Sequence, residues 1–168
     1  MPTSQPSSIP RVLELARAVN PDSVLDVGSG FGKYGFLLRE YLECWQGRLC
    51  PREWKKHIDA VEIFGPYTRL PWYKDIYNII FVADACSMLD KVAEYDLVLI
   101  ADAIEHMTRD DGRRLLGAAK RYIVTTPAYP IGQGEAFGNK AETHVSLWEP
   151  SDFQKAQIID GIVIGWKA

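Results

Sequence analysis

The sequence predicts an α/β fold: a three-layer α/β/α sandwich built on a doubly wound, mostly parallel sheet. Three observations carry this. Short β-branched, apolar runs alternate with segments of helical spacing. The runs are almost continuously apolar, as strands covered on both faces must be. Polar residues then recur just beyond the runs, and right-handed crossovers would gather them at one sheet edge.

The elements follow in order. Met1 to Ser8 is Pro/Ser-rich and reads as a flexible arm. Ser8 is a plausible N-cap with Pro10 in the first turn, and Ile9, Leu13, Ala16 and Val19 form a stripe ended by Asn20-Pro21-Asp22. Ser23 to Val27 is the first strand, and Lys33 to Glu43 a helix with Tyr34, Leu37, Leu38, Tyr41 and Leu42 at helical spacing. Trp45 to Lys56 is irregular, with a short helix at Arg52 to Lys56, before a second strand over Ile58 to Glu62. Pro66 and Pro71 break the next stretch; Trp72 to Tyr77 reads as a helix and Asn78 to Val82 as a strand. Ser87 to Val92 is a short helix, Tyr95 to Ala101 the clearest buried strand, Arg109 to Lys120 a helix, and Tyr122 to Thr126 a strand stopped by Pro127. After a Gly-rich loop over Pro130 to Thr143, Glu149 to Ala156 reads as a capped helix and Ile158 to Trp166 as a last strand or short hairpin around Asp160-Gly161.

Composition sets the outer limits. The 168 residues suffice for one domain with a real core, and 47% apolar with 24% charged residues is ordinary for a globular chain. A net charge of −3 argues against a broad basic grip on nucleic acid. Three unpaired-looking cysteines, Cys44, Cys50 and Cys86, fit reduced thiols in a cytoplasmic protein. No apolar stretch is long enough for a bilayer, so no membrane partner is expected.

The chemistry starts at Val24-Leu25-Asp26-Val27-Gly28-Ser29-Gly30-Phe31-Gly32. An apolar strand running into Gly-x-Gly-x-Gly and then a helix leaves bare backbone beside a helix N-terminus, a site for a nucleotide-like ligand. Glu62, after the second strand, can accept hydrogen bonds from ribose hydroxyls, and Asp84, after the third, from an exocyclic adenine amine. Gly30-Phe31-Gly32-Lys33-Tyr34-Gly35 also spells a dinucleotide fingerprint, but two residues too late after the strand, which makes a nicotinamide oxidoreductase the weaker alternative.

With Ala60-Val61-Glu62-Ile63, Val82-Ala83-Asp84-Ala85 and Tyr95 to His106, the chain resembles the class I S-adenosylmethionine-dependent methyltransferases, which have a Rossmann-like fold. The likeness spans about Asp22 to Pro127 and resumes at His144 to Phe153. It implies that Asp26, Gly28, Ser29, Gly30, Gly32, Glu62, Ile63, Asp84, Ala85 and Asp102 bind S-adenosylmethionine. The glycine loop would meet its amino-acid part, Glu62 its ribose, Ile63 one adenine face, and Asp84 with the Ala85 amide the adenine edge. The implied activity is methyl transfer to an O or N nucleophile of a small or macromolecular acceptor, with His106 as general base and Glu105 orienting it. A degenerate, non-catalytic scaffold of the same fold is the alternative.

Asp102, Glu105, His106 and His144 are also candidate metal ligands. The arrangement is similar to metal-assisted methyltransferases that act on small-RNA 2′-oxygens and polyprenyl quinones. A Glu-His pair after strand four is also common in relatives without metal, so the divalent ion is not the favoured reading. Tyr34, Trp72, Tyr73, Tyr129, Phe137 and Trp148 could line an acceptor pocket, and the Pro127 to Thr143 loop could be a flap over it. The separation between Gly32 and Glu62 calls for an insertion at Trp45 to Lys56. So few residues follow Thr126 that a shortened C-terminal hairpin is expected.

Overall fold

The structure, a computed structural model, describes residues 4–168. Its centre is a seven-stranded sheet of order β3-β2-β1-β4-β5-β7-β6. The strands are β1 (Ser23–Val27), β2 (His57–Glu62), β3 (Ile80–Val82), β4 (Leu97–Ala101), β5 (Tyr122–Pro127), β6 (Lys155–Ile159) and β7 (Ile162–Lys167). The first five pair in parallel; β7 runs antiparallel between β5 and β6. Helices α1 (Ile9–Val19), α2 (Lys33–Leu42) and α3 (Tyr73–Ile76) contribute to one hydrophobic cluster, and α4 (Leu89–Val92) and α5 (Arg109–Ala118) to the other. Buried on both faces, the central strands have no use for alternation, which is why they read as unbroken apolar runs.

Several boundaries differ from the sequence reading. Ser8 is not an N-cap: its backbone is helical and its hydroxyl donates to Gln5 O at 2.9 Å. The expected flexible arm is in part packed structure, with a 3-10 turn at Pro6–Ser8 and Ser4 and Ser8 buried; residues 1–3 lie outside the described residues. The helix expected over Glu149 to Ala156 is only a 3-10 turn, Pro150–Asp152, and β6 begins at Lys155. Its capping pattern was genuine, since Asp152 accepts from Glu149 N at 2.8 Å, but pairing with β7 claims the residues that follow.

The C-terminal hairpin is intact rather than a stub. Asp160 and Gly161, both at positive φ, turn the chain in two residues, leaving five-residue and six-residue strands. The insertion between α2 and β2 is tied down by two buried charges. Arg39 donates to Ile76 O, Lys56 O and Asn78 Oδ1 while stacking over Trp54. Glu43, fully buried, accepts from Lys55 N and Lys56 N and pairs with Arg48. Both charges are thereby partnered, which is what permits them inside.

Candidate functional site

A cavity of about 370 Å³ opens at the carboxyl ends of the parallel strands. The β1–α2 turn forms its base. Gly28 has φ +66°, and a Cβ there would stand 2.6 Å from the Ala103 Cβ, so no other residue lets the β1 and β4 ends approach this closely. Gly28, Ser29 and Gly30 line the cavity; Gly32 does not. Gly32 instead caps α2 at φ +80° and faces Tyr73, Ile76 and Tyr77, so its expected ligand contact is replaced by packing.

Two tyrosines one helical turn apart on and after α3 hold this loop from behind. Tyr73 Oη donates to Gly30 O at 2.6 Å and lies 2.8 Å from Ser29 Oγ. Tyr77 Oη donates to Asp26 Oδ2 at 2.6 Å. Tyr77 also packs where a Cβ on Gly35 would be, 2.4 Å away. Asp26 is fully buried and lines the cavity. Burial pushes its pKa up to about 7, against the Tyr77 hydrogen bond, which lowers it; nearby Glu62 raises it further.

Glu62 bridges strand and loop, accepting from Gly30 N and Phe64 N, each at 2.9 Å, with burial raising its pKa. Ile63, Asp84 and Ala85 join it on the same wall, where the Asp84 side chain accepts from Cys86 N at 2.9 Å. The expected flap also lines the cavity, through Asn139, Ala141 and Glu142, latched by Tyr67 Oη donating to Glu142 Oε1 at 3.2 Å. Ser4 and Lys33 also line the cavity, the Lys33 ammonium donating to Ser4 O. Sequence reasoning missed Tyr67, Tyr77, Glu142 and Ser4. The only available signal was the Tyr73-x-x-x-Tyr77 spacing, which puts both rings on one helical face.

Asp102 follows β4 in the left-handed region, φ +51°. Its Oδ1 accepts from Thr125 Oγ1 at 2.9 Å, and burial raises its pKa. Beyond it the 3-10 turn Ile104–His106 sends neighbouring side chains different ways: His106 lines the large cavity, while Glu105 faces a second one of about 190 Å³. Glu105 therefore does not orient His106. Thr143 O does, 3.2 Å from His106 Nδ1, which as donor leaves Nε2 free to accept. Burial lowers the His106 pKa, so the ring is neutral near pH 7.

Glu105, His106 and His144 offer ligand atoms all within 4.8 Å of one another, and Asp102 falls outside this group. His144 arrives because Val145 N and Ser146 N both donate to Glu105 O, at 2.9 and 3.1 Å, and the fully buried Trp148 donates to Ser146 Oγ. The donor set, one carboxylate and two imidazoles, suits a divalent transition ion. Glu105 Oε2 is buried without a hydrogen-bond partner, an arrangement that costs free energy unless something binds it. Of the aromatics expected around an acceptor, Tyr73 and Trp148 are core; Tyr34 lines the large cavity, Tyr129 the small one, and Trp72 and Phe137 are exposed.

No protein-family model matches the chain, and no curated protein matches it in sequence. Solved structures do match. A 1,6-didemethyltoxoflavin-N1-methyltransferase of Burkholderia thailandensis, solved with S-adenosylhomocysteine, aligns over 96% of this chain and 77% of its own at TM-score 0.65 and 19% identity. The PH0226 protein of Pyrococcus horikoshii aligns over 95% and 86% at TM-score 0.64 and 13% identity. An O-methyltransferase family protein of B. thailandensis aligns at TM-score 0.59 and 12% identity; the chain covers 96% of itself but only 56% of that protein, and 58% of a Staphylococcus aureus relative. The sheet shares the order 3-2-1-4-5 with dinucleotide-binding sheets and departs from them only beyond β5, where an antiparallel strand is inserted. The chain has the Rossmann-like α/β fold of the class I S-adenosylmethionine-dependent methyltransferases.

Proposed function

We propose that the protein binds S-adenosylmethionine in the larger cavity and transfers its methyl group to an oxygen or nitrogen nucleophile. The single observation that carries this reading is the convergence of Asp26, the Gly28–Gly30 backbone, Glu62 and Asp84 on one cavity at the sheet's carboxyl edge. In this reading Asp26 takes the cofactor's ammonium, Glu62 its ribose hydroxyls, and Asp84 with the Ala85 amide its adenine edge. The acceptor loses its proton to His106 Nε2 as its lone pair attacks the methyl carbon. The carbon–sulfur bond breaks in line, and its electron pair returns to sulfur, leaving a neutral thioether. The sulfonium is already activated, so the protein mainly aligns donor and acceptor and excludes water.

The ligand-atom cluster favours a metal-assisted version. Glu105, His106 and His144 would hold a divalent ion, which when bound would polarise an acceptor oxygen and ease its deprotonation. His106 then serves as ligand, and the acceptor's proton leaves to solvent. Calorimetry with Mn²⁺ alone, on the wild type and on His144→Ala, separates the two versions: binding abolished by the substitution supports the metal, and no Mn²⁺ heat in the wild type removes it.

Titration with S-adenosylhomocysteine tests the central reading. Micromolar binding that Glu62→Ala weakens at least tenfold supports it. No binding by the wild type leaves the non-catalytic scaffold.

A further inference from the structure

The flap brings to the larger cavity a carboxylate that the cofactor reading leaves without a task. Glu142 is 6% exposed and lines that cavity together with Glu62 and His106. On the Glu62 side, Tyr67 Oη and Asn139 Nδ2 donate to its Oε1, at 3.2 and 3.4 Å. Tyr67 is itself held edge-on against Phe31 of the glycine loop and against Phe64, whose backbone N–H donates to Glu62. On the other side, the next residue, Thr143, meets His106 Nδ1 through its carbonyl. Glu142 therefore belongs to a stretch of chain that runs from the Glu62 wall to His106. Its charge reaches both: burial dominates their shifts, but Glu142 favours the protonated form of each.

The carboxylate is carried by a compact hairpin. Phe137 and Gly138, both at positive φ, turn the chain between Ala136 and Asn139, whose backbones bond each other in both directions. Gln133 Nε2 then donates to Glu142 O at 2.8 Å, which ties the start of the hairpin to its end.

The cavity's other acids have different partners. In the methyltransferase reading Asp26, Glu62 and Asp84 meet the ammonium, ribose and adenine, which S-adenosylmethionine and S-adenosylhomocysteine share. Asp102 lies within electrostatic reach of the Lys33 ammonium. Donor and product differ at sulfur, which is bonded to the ribose arm on one side and, in the donor, to the transferable methyl on the other. With the ribose at Glu62 and the methyl facing His106, sulfur belongs in the stretch that Glu142 flanks.

We propose that Glu142 selects for the sulfonium: its carboxylate holds the positively charged donor, and that hold lapses when the methyl leaves and sulfur keeps the electron pair as a neutral thioether. The carboxylate acts through space, not by touching the sulfur. The flap thus favours donor over product, and the transfer itself loosens it. In a partly buried site one such charge pair changes a cation's affinity about tenfold or more, even at an effective dielectric of about 20. The proposal rests on the methyltransferase reading.

Calorimetry on the full chain without acceptor, using S-adenosylmethionine and S-adenosylhomocysteine in turn, compares the wild type with Glu142→Gln. The amide keeps the side chain's shape and can still accept from Tyr67. The wild type binds the donor about tenfold more tightly than the product, and in Glu142→Gln that preference falls to about twofold or less. The donor loses the affinity, and the product keeps it. Equal losses for both molecules, as a merely structural role would give, overturn the proposal, and so does an unchanged preference. Should the variant fail to fold, amide exchange in the wild type decides: residues 133–143 exchange more slowly at saturation with S-adenosylmethionine than with S-adenosylhomocysteine, and equal exchange overturns the proposal. A wild type that binds neither molecule sinks the methyltransferase reading; one that binds both without the preference sinks this inference alone.

Discussion

Replacing Tyr77 by Phe removes one oxygen from the core and leaves its packing in place, yet it should alter cofactor binding in a pH-dependent way. The Tyr77 hydroxyl is Asp26's side-chain partner, at 2.6 Å, in a site where burial already lifts the carboxyl to about 7. The other groups around Asp26 give the ionised form less help: Glu62 and the Tyr73 and Tyr34 hydroxyls face it, and only the Gly35 backbone assists. A hydrogen bond to a charged group is worth about 1.5–3 kcal/mol, and about 1.4 kcal/mol corresponds to a factor of ten in protonation. Without Tyr77 the ionised fraction at pH 7 therefore falls about tenfold or more. If the cofactor's ammonium pairs only with ionised Asp26, apparent affinity scales with that fraction. The sign is fixed: the folded pKa is raised, so binding strengthens as pH rises through about 7 in the wild type, and through a higher range in Tyr77→Phe. Calorimetric titration of S-adenosylhomocysteine from pH 6 to 8.5 should show about a tenfold gap near pH 7 that narrows at the alkaline end. Superimposable pH profiles would refute the reasoning, since a purely structural role for the ring predicts no change in their position.

Three further outcomes follow from the same geometry. Asp26→Asn should stabilise the cofactor-free protein near pH 7.5 while abolishing cofactor affinity. A carboxyl raised from 3.8 to about 7 loses the protein about 4 kcal/mol of stability as pH climbs between those values, and the amide escapes that loss; an unchanged or lower Tm would contradict it. Gly28→Ala should destabilise by about 2 kcal/mol or more, from positive φ plus a methyl 2.6 Å from Ala103 Cβ, and chemical denaturation would show it as a lower midpoint. Amide exchange in residues 133–143 should slow on adding S-adenosylhomocysteine, because Asn139 and Glu142 line the cofactor cavity; equal exchange with and without it would leave the flap out of binding.

How much of this was legible depended on whether a residue's setting is local. Leu97–Ala101 and Ser23–Val27 announce themselves because burial on both faces needs only the strand's own residues. Glu62 and Asp102 were readable for the same reason, each standing at the end of such a run, while Asp84 follows an apolar run that is only partly buried. Lys155 and Ala156, the start of the Lys155–Ile159 strand, were misread as the end of a helix because this is an edge strand whose pattern makes sense only beside β7. Tyr77 reaches Asp26 across 51 residues of sequence, and nothing local distinguishes it from other tyrosines. Glu105 was placed beside His106 by adjacency, but a 3-10 turn fans successive side chains about a third of a circle apart. That rotation put the two residues on different cavities.

The antiparallel course of β7 has a practical corollary for handling the protein. It leaves the cavity edge at Ile162, beside Pro127, and reaches Lys167 beside Tyr122 at the opposite edge. A purification tag, fluorophore or surface tether joined after Ala168 would project away from both cavities. The other end offers no such freedom, because Ser4 is part of the larger cavity's lining and accepts from Lys33. Binding measurements should therefore be made on protein immobilised through its carboxyl terminus, with any amino-terminal fusion cleaved beforehand.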